Sequence, residues 1–204
     1  MGPVTRALIL ANVVVFGLQQ KYDAFLTMKF ALWPIGRYEL PGLAHPVGFE
    51  PWQLVTYAFL HGGWLHIFFN MFALYMFGGP IEQVFGTRRY LVYYFVCVVS
   101  AAIAQLAVSA LMGAVYPAIG ASGGVFGLLL AYAIYFPRNR IMLLFPPIPM
   151  PARVFVVVYA VLELFFGVTG TEEGVAHFAH LGGLVGGFVL LRFWRGHDAL
   201  RRRF

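Results

Sequence analysis

Long apolar stretches dominate the chain, and short segments that carry most of the charge separate them. The longest stretch without a charged side chain covers 48 consecutive residues, 90–137. A helix needs about 20 apolar residues to cross the roughly 30 Å hydrocarbon core of a bilayer, so this stretch has room for two crossings with a turn at GAVYPAIG. The same measure predicts six membrane-spanning helices, at about residues 4–20, 59–80, 90–112, 120–136, 152–169 and 174–193.

The composition is typical of an integral membrane protein. Of the 204 residues, 61% are hydrophobic and 11% are charged, with a mean hydropathy of +0.79. That leaves too little charge to cover the surface of a soluble domain. No polar segment is long enough for a second domain, so residues 1–204 are predicted to form one all-α membrane domain. Cys97 is the only cysteine, which excludes an intrachain disulfide.

The basic residues predict how the helices are oriented. Arginines flank the apolar stretches at Arg6, Arg88, Arg138 and in the tail RFWRGHDALRRRF, whereas the segment GTEEG before the last stretch is acidic. Basic residues favour the cytoplasmic side of a membrane, so both termini are predicted to be cytoplasmic. This arrangement accounts for the net charge of +6 without a nucleic-acid partner.

Residues 21–58 form the one long connection that the pattern predicts. This loop contains Trp33, Tyr38 and Trp52 among prolines and glycines. Aromatic side chains favour the headgroup layer of a membrane, so we expect a long, partly inserted interfacial loop between the first two helices.

A few polar side chains interrupt the apolar stretches, and such residues usually face the protein interior. They are His66 and Asn70 in the second predicted helix, Ser122 in the fourth, Glu163 in the fifth and His180 in the sixth. Under the predicted topology the second, fourth and sixth helices run in the same direction. At about 1.5 Å per residue, their polar groups fall in one layer roughly 5–12 Å below the outer surface. This convergence predicts one site built from three helices.

Glycines four residues apart predict that the fourth and sixth helices touch. The pairs are Gly123 with Gly127, Gly182 with Gly186, and Gly183 with Gly187. Small residues at this spacing let helix backbones approach closely in lipid. If these faces meet, Ser122 and His180 enter one pocket. The alternative is that the glycines serve packing alone and that Ser122 bonds a backbone carbonyl.

Ser122 and His180 have the chemistry of a nucleophile and its base. A serine hydroxyl attacks well only when a base takes its proton, and neutral imidazole suits that role near pH 7. Acyl transfer also needs donors to the developing oxyanion. His66 and Asn70 lie one helical turn apart on one face, so their N–H groups and the Ser122 backbone N–H are candidate donors.

These residues resemble the motifs of the rhomboid family of intramembrane serine proteases. GASG at 120–123 matches the family's GxSG nucleophile motif, and AHLGGLVGG at 179–187 matches its AHxxG motif in the sixth helix. HGGWLHIFFN at 61–70 matches its second-helix pattern, and EQVFGTRR at 82–89 resembles the polar turn that follows. The similarity extends from about Trp52 to the end of the sixth predicted helix.

The resemblance implies a six-helix, rhomboid-like bundle in a bacterial inner membrane that hydrolyses peptide bonds of transmembrane protein substrates. A Ser–His dyad, Ser122 with His180, would do this without a metal or other cofactor. His66 and Asn70 would be the oxyanion donors, together with the Ser122 N–H.

The resemblance also assigns supporting residues. Gly120 would let the backbone before Ser122 pass close to the substrate. Phe126 matches a position where the family often packs an aromatic ring against the catalytic histidine. The chain departs from the family at Gln53, where many members have arginine after the tryptophan. We expect Gln53 to affect loop anchoring or membrane interaction rather than the dyad.

Two other functions fit part of the pattern. A proton-coupled transporter or channel would use His66, His180 and Glu163 as a relay, but it leaves Ser122 and the spacing of Asn70 without a purpose. A catalytically silent relative that binds transmembrane clients would usually lack the serine or the histidine, and both are present here.

Glu163 and the remaining histidines leave further alternatives open. Glu163 would orient His180, carry protons or be structural; the dyad chemistry of the family favours a structural or gating role. His61, His66, His177 and His180 suggest a zinc cluster, but no carboxylate or thiol is paired with these four, so no metal is predicted.

Substrate access requires movement around such a buried site. The polar loop before the sixth helix contains Gly167, Gly170 and Gly174, which permit movement. We expect this loop to cover the site as a cap and the fifth helix to move aside for a substrate.

Overall fold

The structure is a computed structural model that describes residues 1–39, 41, 45–142, 147–169 and 176–201, with side chains described as far as Arg195. Its helices are α1 Pro3–Phe30, α2 Gln53–Thr56, α3 Trp64–Ala73, α4 Gly79–Met112, α5 Ser122–Tyr135, α6 Ala152–Thr169 and α7 His177–Arg201. A 3₁₀ turn, Tyr57–Phe59, follows α2, and a π turn, Leu74–Gly78, joins α3 to α4. Helix is therefore present in each of the six stretches predicted from hydropathy.

The first helix is longer than predicted. α1 continues from the predicted end at residue 20 to Phe30, with a kink at Tyr22 (φ −121°, ψ 29°). The hydropathy falls at residue 20, but the sequence QKYDAFLTMKF contains neither glycine nor proline and remains compatible with a helix. The first loop therefore begins at Ala31, and the prediction of a loop from residue 21 was wrong.

The second predicted helix differs at both ends. It begins at Trp64 rather than at residue 59. The residue before it, Gly63, has the non-helical φ of 153°, so the helix cannot extend further back. It does not stop at residue 80 either, since the chain stays helical through the π turn into α4. Gly86, at φ 72° and ψ 161°, is the only non-helical position within α4, so the predicted polar turn is a one-residue break.

The prediction of an all-α fold missed a short β ribbon. Strands β1 Arg140–Met142 and β2 Pro149–Pro151 pair antiparallel between α5 and α6, with Ile141 opposite Met150. Strands of three residues are too short to produce a readable alternation of apolar and polar positions.

Two described helical segments are long and apolar enough to cross a bilayer, Trp64–Met112 and Ala152–Thr169. α5 is apolar but shorter, at Ser122–Tyr135. The number of six crossings therefore stays a prediction. The predicted cap includes residues 170–175, which lie outside the described residues.

Close packing of α4, α5 and α7 forms the core behind the site. A Cβ added at Gly183 of α7 would meet the backbone of Gly123 in α5, and one added at Gly127 would meet the Cys97 side chain in α4. Tyr93 of α4 is fully buried and donates its hydroxyl hydrogen bond to Gly127 O at 2.7 Å. The glycines thus bring three helix backbones within direct contact.

Two buried polar side chains fasten more distant segments to this core. Glu82 in α4 accepts hydrogen bonds from the N–H groups of Val4 and Thr5, both at 2.9 Å, and caps the start of α1. Gln53 in α2 accepts from Trp33 N–H at 3.1 Å and donates to Gly48 O at 3.3 Å. Gln53 therefore anchors the first loop from within.

Candidate active site

Ser122 lies at the first position of α5, immediately after a strained turn. Gly120 has φ 125°, a backbone conformation that residues with a side chain rarely adopt. Its N–H donates a hydrogen bond to Tyr57 O at 3.0 Å. The first intrahelical bond of α5 runs from Val125 N–H to Ala121 O. The N–H groups at the start of the helix therefore face the site together with the positive end of the helix dipole.

His180 of α7 meets Ser122 directly. Its Nε2 lies 2.8 Å from Ser122 Oγ, a hydrogen-bond distance. The imidazole stacks on Phe126 of α5, with ring centroids 4.3 Å apart and an angle of 6° between the planes. The contact of Gly123 with Gly183 sets the separation of α5 and α7 that makes this short distance possible.

His66 of α3 also lies close to Ser122. Gly62 N–H donates to His66 Nδ1 at 3.1 Å, so in the neutral ring the proton is on Nε2. A Cβ built on Gly120 would lie 2.8 Å from His66 Nε2 and 3.7 Å from Ser122 Oγ. The absence of a side chain at Gly120 therefore leaves room for the His66 Nε2–H group beside the hydroxyl.

Asn70 lies one turn further along α3. Its Nδ2 donates to His66 O at 3.0 Å, which leaves the second N–H of the amide available. The side chain is buried, and its Oδ1 has no hydrogen-bond partner in the described part of the chain.

A cavity of about 760 Å³ joins these groups. Ser122, His180, His66 and Asn70 all line it, and most of the remaining wall is apolar, from α3, the π turn, the segment before α5, α5 itself, β1 and α6. A volume of this size is in the range of sites that bind small ligands or short chain segments.

Glu163 of α6 contacts both histidines of the first turn of α7. Its Oε2 lies 2.7 Å from His177 Nδ1, in a hydrogen bond, and 2.9 Å from His180 Nδ1. The second pair meets the distance of a hydrogen bond but not its angle, so His180 Nδ1 has no hydrogen bond to any described residue. Sequence reasoning named Glu163 but missed its contact with His177, although histidines three residues apart on a helix indicate a common face.

Among the described residues, the four histidines do not form one group of potential metal ligands. The rings of His61 and His66 lie 5.0 Å apart, and those of His177 and His180 lie 6.5 Å apart. The potential metal ligands that the described residues bring together are instead Glu163, His177 and His180, with ligand atoms within 4.8 Å of one another. The four-histidine zinc cluster that the sequence suggested therefore differs from this group, which includes Glu163 and lacks His61 and His66.

Comparison with known proteins adds relatives to this geometry. The family model of the Rhomboid domain matches residues 48–196. The chain is 33% identical over 139 residues to rhomboid protease GluP of Bacillus subtilis, which covers 68% of this chain and 25% of that protein. It is 31% identical over 197 residues to rhomboid protease GlpG of Serratia proteamaculans, covering 95% and 63%. It is 28% identical over 202 residues to rhomboid protease GlpG of Pectobacterium atrosepticum, which covers 99% of this chain and 66% of that protein. The chain thus spans from a quarter to about two thirds of the length of these relatives.

Proposed function

This chain belongs to the rhomboid family, and we propose that it is an intramembrane serine protease with Ser122 as nucleophile and His180 as general base. The observation that carries the proposal is the 2.8 Å distance between Ser122 Oγ and His180 Nε2 at the wall of the cavity. Relatives with the name rhomboid protease support the same reaction class.

The first chemical step forms an acyl-enzyme. Ser122 Oγ attacks the carbonyl carbon of the scissile peptide bond while the hydroxyl proton moves to His180 Nε2. The carbonyl electron pair moves to oxygen and gives a tetrahedral oxyanion. When the carbon–nitrogen bond breaks, His180 returns the proton to the leaving nitrogen, and the new amino terminus departs.

Three groups converge where the oxyanion forms. The Ser122 N–H lies at the start of α5, where no helix bond uses it. The His66 Nε2–H lies beside Gly120, and Asn70, with its second amide N–H, lines the same cavity. Preorganised donors of this kind stabilise the transition state because they need no rearrangement as the charge develops.

Water then completes the cycle. It attacks the acyl carbon and gives a proton to His180 Nε2; when the ester bond breaks, that proton returns to Ser122 Oγ. The other half of the substrate leaves with a new carboxylate. Because the reaction is hydrolysis, the proposed mechanism uses no redox or nucleotide cofactor.

The proposed substrates are membrane proteins cleaved near the outer end of a transmembrane segment. A stable helix has its carbonyl groups engaged in hydrogen bonds, so the segment must unwind before attack. We propose six crossings with both termini in the cytoplasm of a bacterial cell, on the basis of the arginine distribution. Residues 1–204 would then form a single membrane domain.

A serine-directed covalent probe tests the proposal. Purified wild-type protein, Ser122→Ala and His180→Ala are treated with a fluorescent phosphonate, and each is also incubated with a transmembrane model substrate in proteoliposomes. We expect labelling and cleavage by the wild type alone. A folded wild-type protein that neither labels nor cleaves would exclude the protease and favour a client-binding or proton-relay function.

A further inference from the structure

The contact between Glu163 and two histidines has no role in the dyad mechanism described above. Glu163 is 8% exposed and His177 is 5% exposed, and the His180 side chain is 12% exposed, so the carboxylate lies between one buried and one largely buried imidazole. Burial of a charged carboxylate is unfavourable unless hydrogen bonds or opposite charge compensate for it. Packing alone therefore does not explain the position of Glu163.

The proton positions on His180 supply one. If Nε2 accepts the Ser122 proton, the neutral ring must carry its own proton on Nδ1. That Nδ1 lies 2.9 Å from Glu163 Oε2. The Phe126 stack fixes the plane of the ring, but it does not determine which nitrogen is protonated. The carboxylate does, because it can only accept a hydrogen bond.

The charge balance points the same way. A carboxylate with two neutral imidazoles carries one negative charge in a poorly solvated site. When His180 takes the serine proton, Glu163 and His180 form an ion pair and the cluster becomes neutral. Attraction between such charges is stronger at low dielectric than in water. Another titratable group near His180 is His66, whose Nδ1 accepts a hydrogen bond from Gly62 N–H.

We propose that Glu163 is a positioning residue that completes a Ser122–His180–Glu163 triad, with His177 holding the carboxylate in place. The inference rests on the proposed protease function. The hydrogen bond from His177 at 2.7 Å fixes Glu163 Oε2 beside His180. The angle at His180 Nδ1 falls outside hydrogen-bond geometry, and a small rotation of the ring on substrate binding aligns it.

The test compares Glu163→Gln, Glu163→Ala and Glu163→Asp for the kcat and KM of cleavage of the transmembrane model substrate in proteoliposomes. Glu163→Gln preserves the shape of the side chain but removes the negative charge that stabilises protonated His180. We therefore expect Glu163→Gln and Glu163→Ala both to reduce kcat by about 10²–10⁴-fold, with little change in KM. Glu163→Asp is expected to retain more activity than either.

A purely structural role predicts a normal kcat for Glu163→Gln, because glutamine preserves the shape of glutamate. Glu82→Gln is the matched control, since it alters another buried carboxylate that caps α1. We expect Glu82→Gln to lower thermal stability and leave kcat unchanged in the folded protein. His177→Gln should reduce kcat by less than Glu163→Gln.

Three outcomes would overturn the triad. They are a Glu163→Gln protein with normal kcat, a Glu163→Asp protein no more active than Glu163→Gln, and one bound metal ion per wild-type chain by elemental analysis. Phosphonate labelling separates this inference from the proposed function. If the phosphonate labels the wild type and not Ser122→Ala, the proposed protease function is supported regardless of the results for the Glu163 variants. If the wild type neither labels nor cleaves, both proposals fail.

Discussion

At the scale of single residues, two asparagines make the same local contact in different surroundings. Asn70 Nδ2 donates to the carbonyl one turn earlier, on His66, and Asn12 Nδ2 donates in the same way to Leu8 O. Both side chains are buried, and neither Oδ1 has a hydrogen-bond partner among the described residues. Asn70 lines the cavity, whereas α1, which contains Asn12, contributes no described residue to its wall.

This pairing separates an oxyanion role from a structural one. We expect Asn70→Ala to lower kcat for the transmembrane substrate by about 10²-fold, because one donor to the oxyanion is lost. Asn12→Ala should leave kcat unchanged, while thermal unfolding shows a loss of about 1 kcal/mol for either variant. Equal kcat values for the two alanine variants would contradict the assignment of Asn70.

The sequence predicted these residues to different degrees. His66 and Asn70 could be predicted because their spacing places them on one helix face. Ser122 and His180 could be predicted because they are polar groups at one depth in apolar helices. The hydrogen bond between His177 and Glu163 could not be predicted, because it depends on the rotation of α6 relative to α7. No local pattern specifies that rotation.

At the scale of helices, the glycine contact between α5 and α7 sets how close Ser122 and His180 can lie. A Cβ at Gly183 would overlap the backbone of Gly123, next to Ser122, the proposed nucleophile. We expect Gly183→Ala to push the helices apart and reduce the rate of phosphonate labelling by about 10- to 100-fold, since a displacement near 1 Å already misaligns reacting groups.

Gly17 provides the control for helix propensity. It lies within α1, and a Cβ there would meet nothing within 4 Å. Gly17→Ala should therefore label at the wild-type rate and be stabilised by up to about 1 kcal/mol. Normal labelling of Gly183→Ala would mean that the two helices are not held at a fixed separation by these glycines.

Helix positions were predictable from hydropathy, and helix ends were less so. The end of α1 at Phe30 and the continuity of α4 past Glu82 follow from helix propensity and from long-range hydrogen bonds. Glu82 caps a helix that lies 77 residues earlier in the chain, at Thr5. A window of neighbouring residues contains no sign of such a partner.

At the scale of the whole molecule, α6 has two different attachments. Ala152, Val156 and Glu163 are its only buried residues among those described, and most of its other side chains face outward. Glu163 ties the second half of the helix to α7, while Phe155 in the first half lines the cavity. We therefore propose that a substrate segment enters by displacement of the first half of α6 while the contact with His180 persists.

A crosslink across this entrance tests that movement. Met76→Cys in the π turn and Phe155→Cys in α6 place thiols on two walls of the cavity, and Cys97 is fully buried and unreactive. Joined by a flexible, reducible thiol reagent, this pair should lower cleavage of the transmembrane substrate by at least about tenfold, because the entrance cannot widen. The small phosphonate should still label Ser122, and reduction should restore cleavage. Each single-cysteine variant, treated alike, controls for the reagent itself. Cleavage by the crosslinked protein at the uncrosslinked rate would mean that substrates reach Ser122 by another path.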